Sequence, residues 1–521
     1  MATATRIEDA PTDRPMIVVS NRQPDELVDE AVDAIVTRND PPEMFMRAGE
    51  IVRAGSDEDD RPAILAVDDD GIHERLYAAA TWHTKSNDGF KNTTPSKRLA
   101  TASRIRLVAD AKKLPPLVGV VTTPTLRRDG SILAAPGYDP RSRLFHAPEP
   151  GLTVPEIPES PTRSEIHDAV DAIEETLADF PFVDDSDRAT ALALLLSIVM
   201  REVIDGCLPL FVLTARQQGT GKSLLLQALV TIATGRGASV SSMPDGRGAE
   251  DELRKRILTI LRSGRRVAVL DNVVKPIDSP SLAALMTAER WTDRVLGVSA
   301  ELDLRNRSVW IATGNNVGVR GDFARRCVWL RLDAKHAKPW TRTGWRHNDL
   351  LAYVVERRGD LLAAALTIAR GWVAAGMPAP ADDVPILGGF EGWRRTIGGA
   401  LKMAGIGGFL GAAEEMYEQA DGEGPVWAAW LAAWHDWCRD PVPVAELLTE
   451  LRREGSMLRE VLPADLAPLL EHPQSAGQRI GSTLLTRDGK RFALEGGCIW
   501  IERAGKHKRT KAALWRAHRE D

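Results

Sequence analysis

Apolar positions along the chain fall into helical stripes, alternating runs and short unbroken blocks. Leu27, Val28, Ala31, Val32 and Ile35 recur at helical spacing and predict a helix over 24–36. Strand-like pieces follow at 44–47, 50–53 and 63–67, divided by turn pairs such as Ala48-Gly49 and Asp70-Gly71. Runs at 117–122 and 131–135 flank Arg128-Asp129-Gly130, which reads as a hairpin turn. The mixture predicts an α+β accessory domain over 1–150, with no catalytic constellation in it. Five prolines within 148–161 mark a stiff linker. Beyond it, Thr162 and Glu165 have capping-box spacing, and Ile166, Val170, Ile173 and Leu177 form an apolar stripe. With an apolar helix over 187–204 they predict a linker and helical collar at 151–205. Unbroken apolar blocks at 208–214, 267–270 and 308–313 have the character of buried parallel strands.

The C-terminal third is helical from 349 to 375. Trp427, Trp430, Trp434 and Trp437 then share one helical stripe, a pattern of packed core more often than of base stacking. Helices are predicted at 444–453 and 476–486, and strands at 491–494 and 499–502 joined by Gly496-Gly497. Helices followed by a small hairpin have the order of a winged helix. The whole is a multidomain α/β chain. Its divisions are 1–150, 151–205, a core at 206–335 that holds the three unbroken apolar blocks, a helical region at 336–440 and a winged-helix-like module at 441–521.

Composition narrows the classes. The 521 residues imply three or four domains, and 43% hydrophobic with 27% charged residues excludes a mainly disordered or collagen-like chain. Residues 1 to 15 have the polar character of a disordered terminus and hold no apolar signal segment. No run reaches the ~18 apolar residues of a membrane span. Four scattered cysteines make neither a zinc spacing nor a disulfide framework, so a cytoplasmic setting is expected. Net charge is −6, yet from Pro473 onward eleven basic residues face five acidic ones. That basic end suggests contact with an acidic polymer, with a solvated surface as the alternative.

The block at 208–214 leads into Ala215-Arg216-Gln217-Gln218-Gly219-Thr220-Gly221-Lys222-Ser223, and a helical run follows. Strand, glycine loop, Gly-Lys-Ser and helix is the context of a phosphate-binding loop. Gly219 and Gly221 permit a tight turn with its N–H groups aimed inward, and the helix N-terminus favours anions. Lys222 can reach the β- and γ-phosphates and Ser223 can ligate Mg²⁺. Arg216 stands where the usual pattern has its first glycine. Asp271 ends the second block and is placed to hold Mg²⁺ through water, or to close an ordinary Asp-Asn turn. Asn315 ends the third, where an amide orients water or senses a γ-phosphate, or serves an Asn-rich turn. Arg325 and Arg326 are candidates for a finger reaching a neighbouring subunit's nucleotide, or an ordinary pair of surface arginines.

Lys222, Asp271, Asn315 and Arg325–Arg326 in that compact order resemble the superfamily III helicases, a branch of the AAA+ ATPases. Trp291-Thr292-Asp293-Arg294-Val295-Leu296-Gly297 is similar to the replicative ATPases of phages and plasmids within that branch. So is the stretch from Leu114-Pro115-Pro116-Leu117 through Arg128-Asp129-Gly130 to Pro136-Gly137-Tyr138-Asp139. The resemblance implies ATP and Mg²⁺ at Lys222 and Ser223, a Walker B acid at Asp271, a sensor at Asn315 and a finger at Arg325 or Arg326, with Arg326 favoured. It implies a homo-oligomeric ring, a hexamer, with a DNA strand in its channel. It also implies a DNA-contacting hairpin near Ser299–Arg307, using Arg305 and Arg307. A second Walker B acid is replaced by Asn272, which cannot act as a base, so either another acid such as Glu301 takes the role, or hydrolysis is slow or lost. No separate primase domain is visible, and the acidic runs 57–60 and 68–70 read as solvated loops.

In the C-terminal module Arg479 and Arg487 lie eight apart on one predicted helix, and Lys490, Arg491, Lys506, Lys508 and Arg509 surround the hairpin. These are the expected duplex contacts, unless the module binds protein instead. The expectation is an ATP-dependent DNA helicase. The rival is an ATP-driven initiator or loader that does not unwind.

Overall fold

A computed structural model describes residues 14–58, 61–294, 301–420, 424–471 and 475–520. The polar terminus 1–13 and the segment 295–300, which includes Ser299, lie outside the described residues. The chain forms two compact units. One runs to Gly318 and resumes over Arg325–Ala413; the other combines Val319–Ala324 with Glu414–Asp521.

The first unit opens with helices Pro24–Arg38, Asp69–Ala79 and Lys97–Ala109 packed together. Ala31, Val32, Ile35, Ile72, Leu76 and Leu107 fill their shared core. An antiparallel meander, Met44–Arg47, Glu50–Ser56 and Pro62–Ala66, matches the three expected strand pieces. The expected hairpin is shorter than its sequence signal. Its strands are Thr125–Leu126 and Ile132–Leu133, while Gly119–Val121 pairs in parallel with Leu144–His146 instead. The β-like character of 117–122 is therefore satisfied by a more distant partner.

The proline linker runs against the helix Arg358–Ala374. A Cβ on Gly359 would lie 2.0 Å from the Thr153 carbonyl, so glycine permits that close approach. The Thr162–Glu165 capping box forms at the start of the helix Arg163–Leu177. The next helix, Asp185–Val199, is buried on nearly every side, which is why its sequence lacks an amphipathic stripe.

A five-stranded parallel sheet follows. Its strands are β1 (Leu210–Ala215), β2 (Val240–Ser242), β3 (Val267–Asp271), β6 (Val309–Asn315) and β7 (Cys327–Leu332). Their order is β2-β3-β6-β1-β7, every pair parallel. Helices α1 (Lys222–Thr234), α2 (Ala249–Ser263) and α3 (Pro280–Thr287) connect them. β4 (Arg290–Arg294) and β5 (Glu301–Arg305) form a separate antiparallel hairpin. In the sheet, β1, β3 and β6 are buried along almost their whole length, as unbroken apolar blocks require.

In the second unit, Trp427, Trp430 and Trp434 are fully buried among Leu447, Ile480, Phe492, Ile501 and Trp515. The indoles meet edge to face, with centroids 5.2 Å apart in each successive pair. The sheet here has four strands, in the order Val442–Pro443, Ala513–Glu520, Gly497–Lys506, Arg491–Leu494. The strand Ala513–Glu520 is absent from the sequence expectation. Its inward positions, Trp515 and Ala517, alternate with Arg516 and His518, so its charged half hides the period of two. Truncating Trp430 to alanine should cost about 3–5 kcal/mol. Urea unfolding followed by circular dichroism should show that loss, and a much smaller one for the half-buried Trp437.

Candidate functional site

The order of the sheet decides which side chains meet. β6 lies between β1 and β3, and parallel pairing puts their C-terminal ends at one edge, where ligands bind in such sheets. Ala215 at the end of β1 is in register with Asn315 at the end of β6. Lys222, the first residue of α1, reaches back to donate a 2.6 Å hydrogen bond from Nζ to Asn315 Oδ1. On the other flank Thr313 Oγ1 donates to Asp271 Oδ1. Lys222, Asn315 and Asp271, 93 residues apart at their widest pairing, thus belong to one cluster. Burial pushes the Lys222 ammonium below the ordinary lysine range, and the Asp271 carboxylate opposes that shift.

The loop between β1 and α1 has the shape a phosphate cradle needs. Gly219 and Gly221 adopt φ of +72° and +97°, the left-handed region open to glycine. Thr220 is buried and its hydroxyl donates to the Gln217 carbonyl at 2.7 Å, closing the turn. Gln217, Gln218 and Ser223 are exposed at its surface. Arg216 keeps a negative φ, so the missing first glycine strains nothing, and its side chain lies 3.7 Å from Asp333. Gly314 has another role: a Cβ there would stand 2.4 Å from the Val273 carbonyl. Asn272 takes a left-handed φ of +54°, a conformation asparagine tolerates, and is exposed.

An apolar cleft of about 200 Å³ opens beside the loop. Phe180, Leu224, Trp340, Trp345 and His347 line it, and Trp340 packs over Gly219 while remaining 63% exposed. Sequence reasoning does not single out these aromatics. A pair of tryptophans in the polar stretch 335–349 is the signal that could find them.

Other expected residues lie elsewhere. Arg326 donates to the Ala283 carbonyl of α3 in its own chain, whereas Arg325 is exposed. Glu301 is at the tip end of the β4–β5 hairpin, paired in register with Arg294 and outside the five-stranded sheet. Arg305 ends that hairpin at its base, exposed. Arg307 is half-buried, 3.9 Å from Glu202.

In the second unit Arg487 falls beyond the helix Ala476–Leu485, not on its face. Its guanidinium pairs with Asp465 at 2.7 Å and lies 4.2 Å over the Trp427 ring. Arg491 pairs with Glu520 and covers Trp500. Lys490 lies over Phe492. Arg479, Lys506, Lys508 and Arg509 are exposed, the last three in or beside the turn that joins the two longest strands. Among the described residues, no group of three or more His, Cys, Asp or Glu could hold a metal by itself. None of the described helices is long and apolar enough to cross a membrane.

Gly314→Ala should lower the melting temperature, by the equivalent of about 1–3 kcal/mol, because the added methyl must displace backbone. Gly318→Ala, whose Cβ meets Pro276 at an ordinary 3.5 Å, is the control and should be near neutral. Differential scanning calorimetry distinguishes the two.

No protein-family model matches the chain, and no curated protein matches it. Among solved structures the chain is similar to the apo A form of the NrS-1 C-terminal region. The identity is 12% and the TM-score 0.37, over 94% of this chain and 97% of that one. A shorter NrS-1 C-terminal segment is similar at 13% identity and a TM-score of 0.35, over 86% of each chain. A JCV helicase with a bound acetamide compound is similar at 13% identity and a TM-score of 0.21, over 40% of this chain and 61% of that one. Likeness at this level assigns neither family nor activity, and the function rests on the residues of this chain.

Proposed function

We propose that this chain is an ATP-hydrolysing DNA motor of the superfamily III, AAA+ kind, working as a homo-oligomeric ring. One observation carries the reading: Lys222, Asn315 and Asp271 cluster at adjacent strand ends beside a glycine turn that opens a helix. A polyphosphate suits that cluster in three ways. The loop offers N–H groups and a helix N-terminus, the half-buried Lys222 is bonded to a neutral amide rather than to a carboxylate, and aromatic walls adjoin the turn. In this reading the phosphates lie over Gly219–Ser223 and the base enters the cleft against Trp340. Ser223 and Asp271 would hold Mg²⁺, which neutralises phosphate charge. A site with one carboxylate and one hydroxyl is what that ion accepts when phosphates and water complete its shell.

Asn315 is the sensor in this reading. It holds Lys222 by a hydrogen bond that a γ-phosphate would compete for. Arg325 is the better finger on exposure: its side chain is open to solvent, while Arg326 is half-buried. The β4–β5 hairpin, with Arg305 and Arg307 at its base, is the DNA-contacting element within the ring. Arg479, Lys506, Lys508 and Arg509 form the contact surface of the C-terminal module, since Arg487 and Arg491 are already paired with carboxylates.

The rival, an initiator or loader that hydrolyses ATP without unwinding, draws on Asn272. No base occupies that position, and Glu301 lies on the hairpin. A strand-displacement assay run beside an ATPase assay separates the two; turnover without displacement favours the rival.

Lys222→Ala should abolish ATP turnover, and undiminished turnover would reject the site. Arg325→Ala should reduce turnover at least a hundredfold while leaving ATP binding intact. Arg326→Ala should instead act mainly on stability. Trp340→Ala should raise the KM for ATP about tenfold with little change in kcat, the pattern of a lost ground-state contact. Steady-state kinetics on the four proteins test these outcomes.

A further inference from the structure

A second cleft, of about 730 Å³, lies where the N-terminal elements meet the base of the β4–β5 hairpin. Eight arginines line it against three acids. Five of the eight are matched to carboxylates, as Arg290 is to Asp303 at 2.7 Å. Arg47 is turned instead to the carbonyls of Leu261 and Arg262. The guanidinium groups of Arg143 and Arg305 have neither a hydrogen bond nor an ion pair among the described residues, and both side chains are exposed. Beneath them Arg266 and Arg307 share one buried carboxylate, Glu202, beside the buried Arg201. Arg201, Arg266 and Arg307 thus gather three positive charges around the single carboxylate of Glu202.

The side of the cleft opposite the hairpin is a built turn. Asp139 accepts from Arg127 Nε and Nη2 at 3.0 and 3.2 Å and from the Ser142 backbone N–H at 2.9 Å. The Arg143 N–H donates to the Asp139 carbonyl at 2.7 Å, and the Val118 N–H donates to the Arg143 carbonyl at 2.8 Å. Within this frame Arg143 is held at φ +60°, a strained conformation for arginine. The frame over-determines a costly backbone and presents an arginine side chain to the open cleft. Arg305 comes from the other side. Leu302 and Leu304 point inward, so strand alternation turns Arg305 outward beside the occupied Asp303–Arg290 pair.

We propose that this cleft binds the phosphodiester backbone of a nucleic-acid strand, with Arg143 and Arg305 gripping phosphates from its two sides. Guanidinium forks match phosphate oxygens in pairs, and unpaired cations in a groove are the arrangement that attracts such a polyanion. The inference rests on the DNA-acting reading and adds a contact from the N-terminal elements that the hairpin alone would not supply. The stretch from Pro115 to Asp139 then serves to place Arg143.

The test is fluorescence anisotropy on the full chain with labelled oligo(dT) and oligo(rU), titrated across salt. Glycine suits φ +60°, so Arg143→Gly removes the side chain without disturbing the turn; Arg305→Gln is combined with it. The double variant should bind about tenfold or more weakly. Its log–log salt slope should be shallower by roughly 1.4, two phosphates at about 0.7 each. Arg143→Gly alone should show about half that change in slope. Arg163→Gln, an exposed arginine away from the cleft, should bind as the unaltered chain does. Similar losses for both oligomers identify the backbone as the ligand, and a loss confined to one identifies the sugar type that occupies the cleft. Unchanged affinity and slope in both variants would overturn the cleft, and with it the DNA contact assigned to Arg305, while leaving the nucleotide site of the motor reading intact. Failure of the unaltered chain to bind either oligomer would overturn both.

Discussion

The hydrogen bond from Lys222 to Asn315 depends on a single topological fact, that β6 is inserted between β1 and β3. Were β1 and β3 direct neighbours, the amide would sit elsewhere and Lys222 would face Asp271 alone. The insertion places a neutral acceptor between cation and carboxylate. The ammonium is thus positioned without being neutralised, and the acid keeps an oxygen beyond the one that Thr313 occupies. Gly314 makes the arrangement possible by letting the Val273 carbonyl approach the strand. Burial of β1, β3 and β6 then makes the placement rigid.

Much of this is legible in the sequence because each part carries a local signature. Gly219 and Gly221 are required by left-handed backbone, the apolar blocks by burial on both faces, and Thr162 and Glu165 by a helix start. What is not legible depends on distant partners. The aromatic wall of the cleft beside the glycine turn joins Phe180, which precedes the sheet, to Trp340, which follows it. Arg326 finds the Ala283 carbonyl, 43 residues away. Spacing alone puts Arg487 on a helix face, but the helix ends at Leu485 and the guanidinium finds Asp465 and Trp427. Periodicity could not anticipate any of these, because it describes a chain against itself over a few residues.

Charge shows the same division. The excess of basic residues near the C-terminus is plain from composition, yet the structure commits Arg487 and Arg491 to internal pairs and leaves Arg479, Lys506, Lys508 and Arg509 outward. The cleft of Arg143 and Arg305 shows no such signal in the sequence. Its arginines come from segments scattered between 47 and 307, and folding alone gathers them. Net charge of −6 therefore says little about where a polyanion would be held.

Everything proposed for the motor requires that the edge formed by Gly219–Ser223, Asp271 and Asn315 receive a magnesium–nucleoside triphosphate. Isothermal titration of the full chain with ATP, in the presence and absence of Mg²⁺, tests this without relying on turnover. Saturable, magnesium-dependent binding at one nucleotide per chain is the expected result, and an absence of binding at millimolar nucleotide would contradict it.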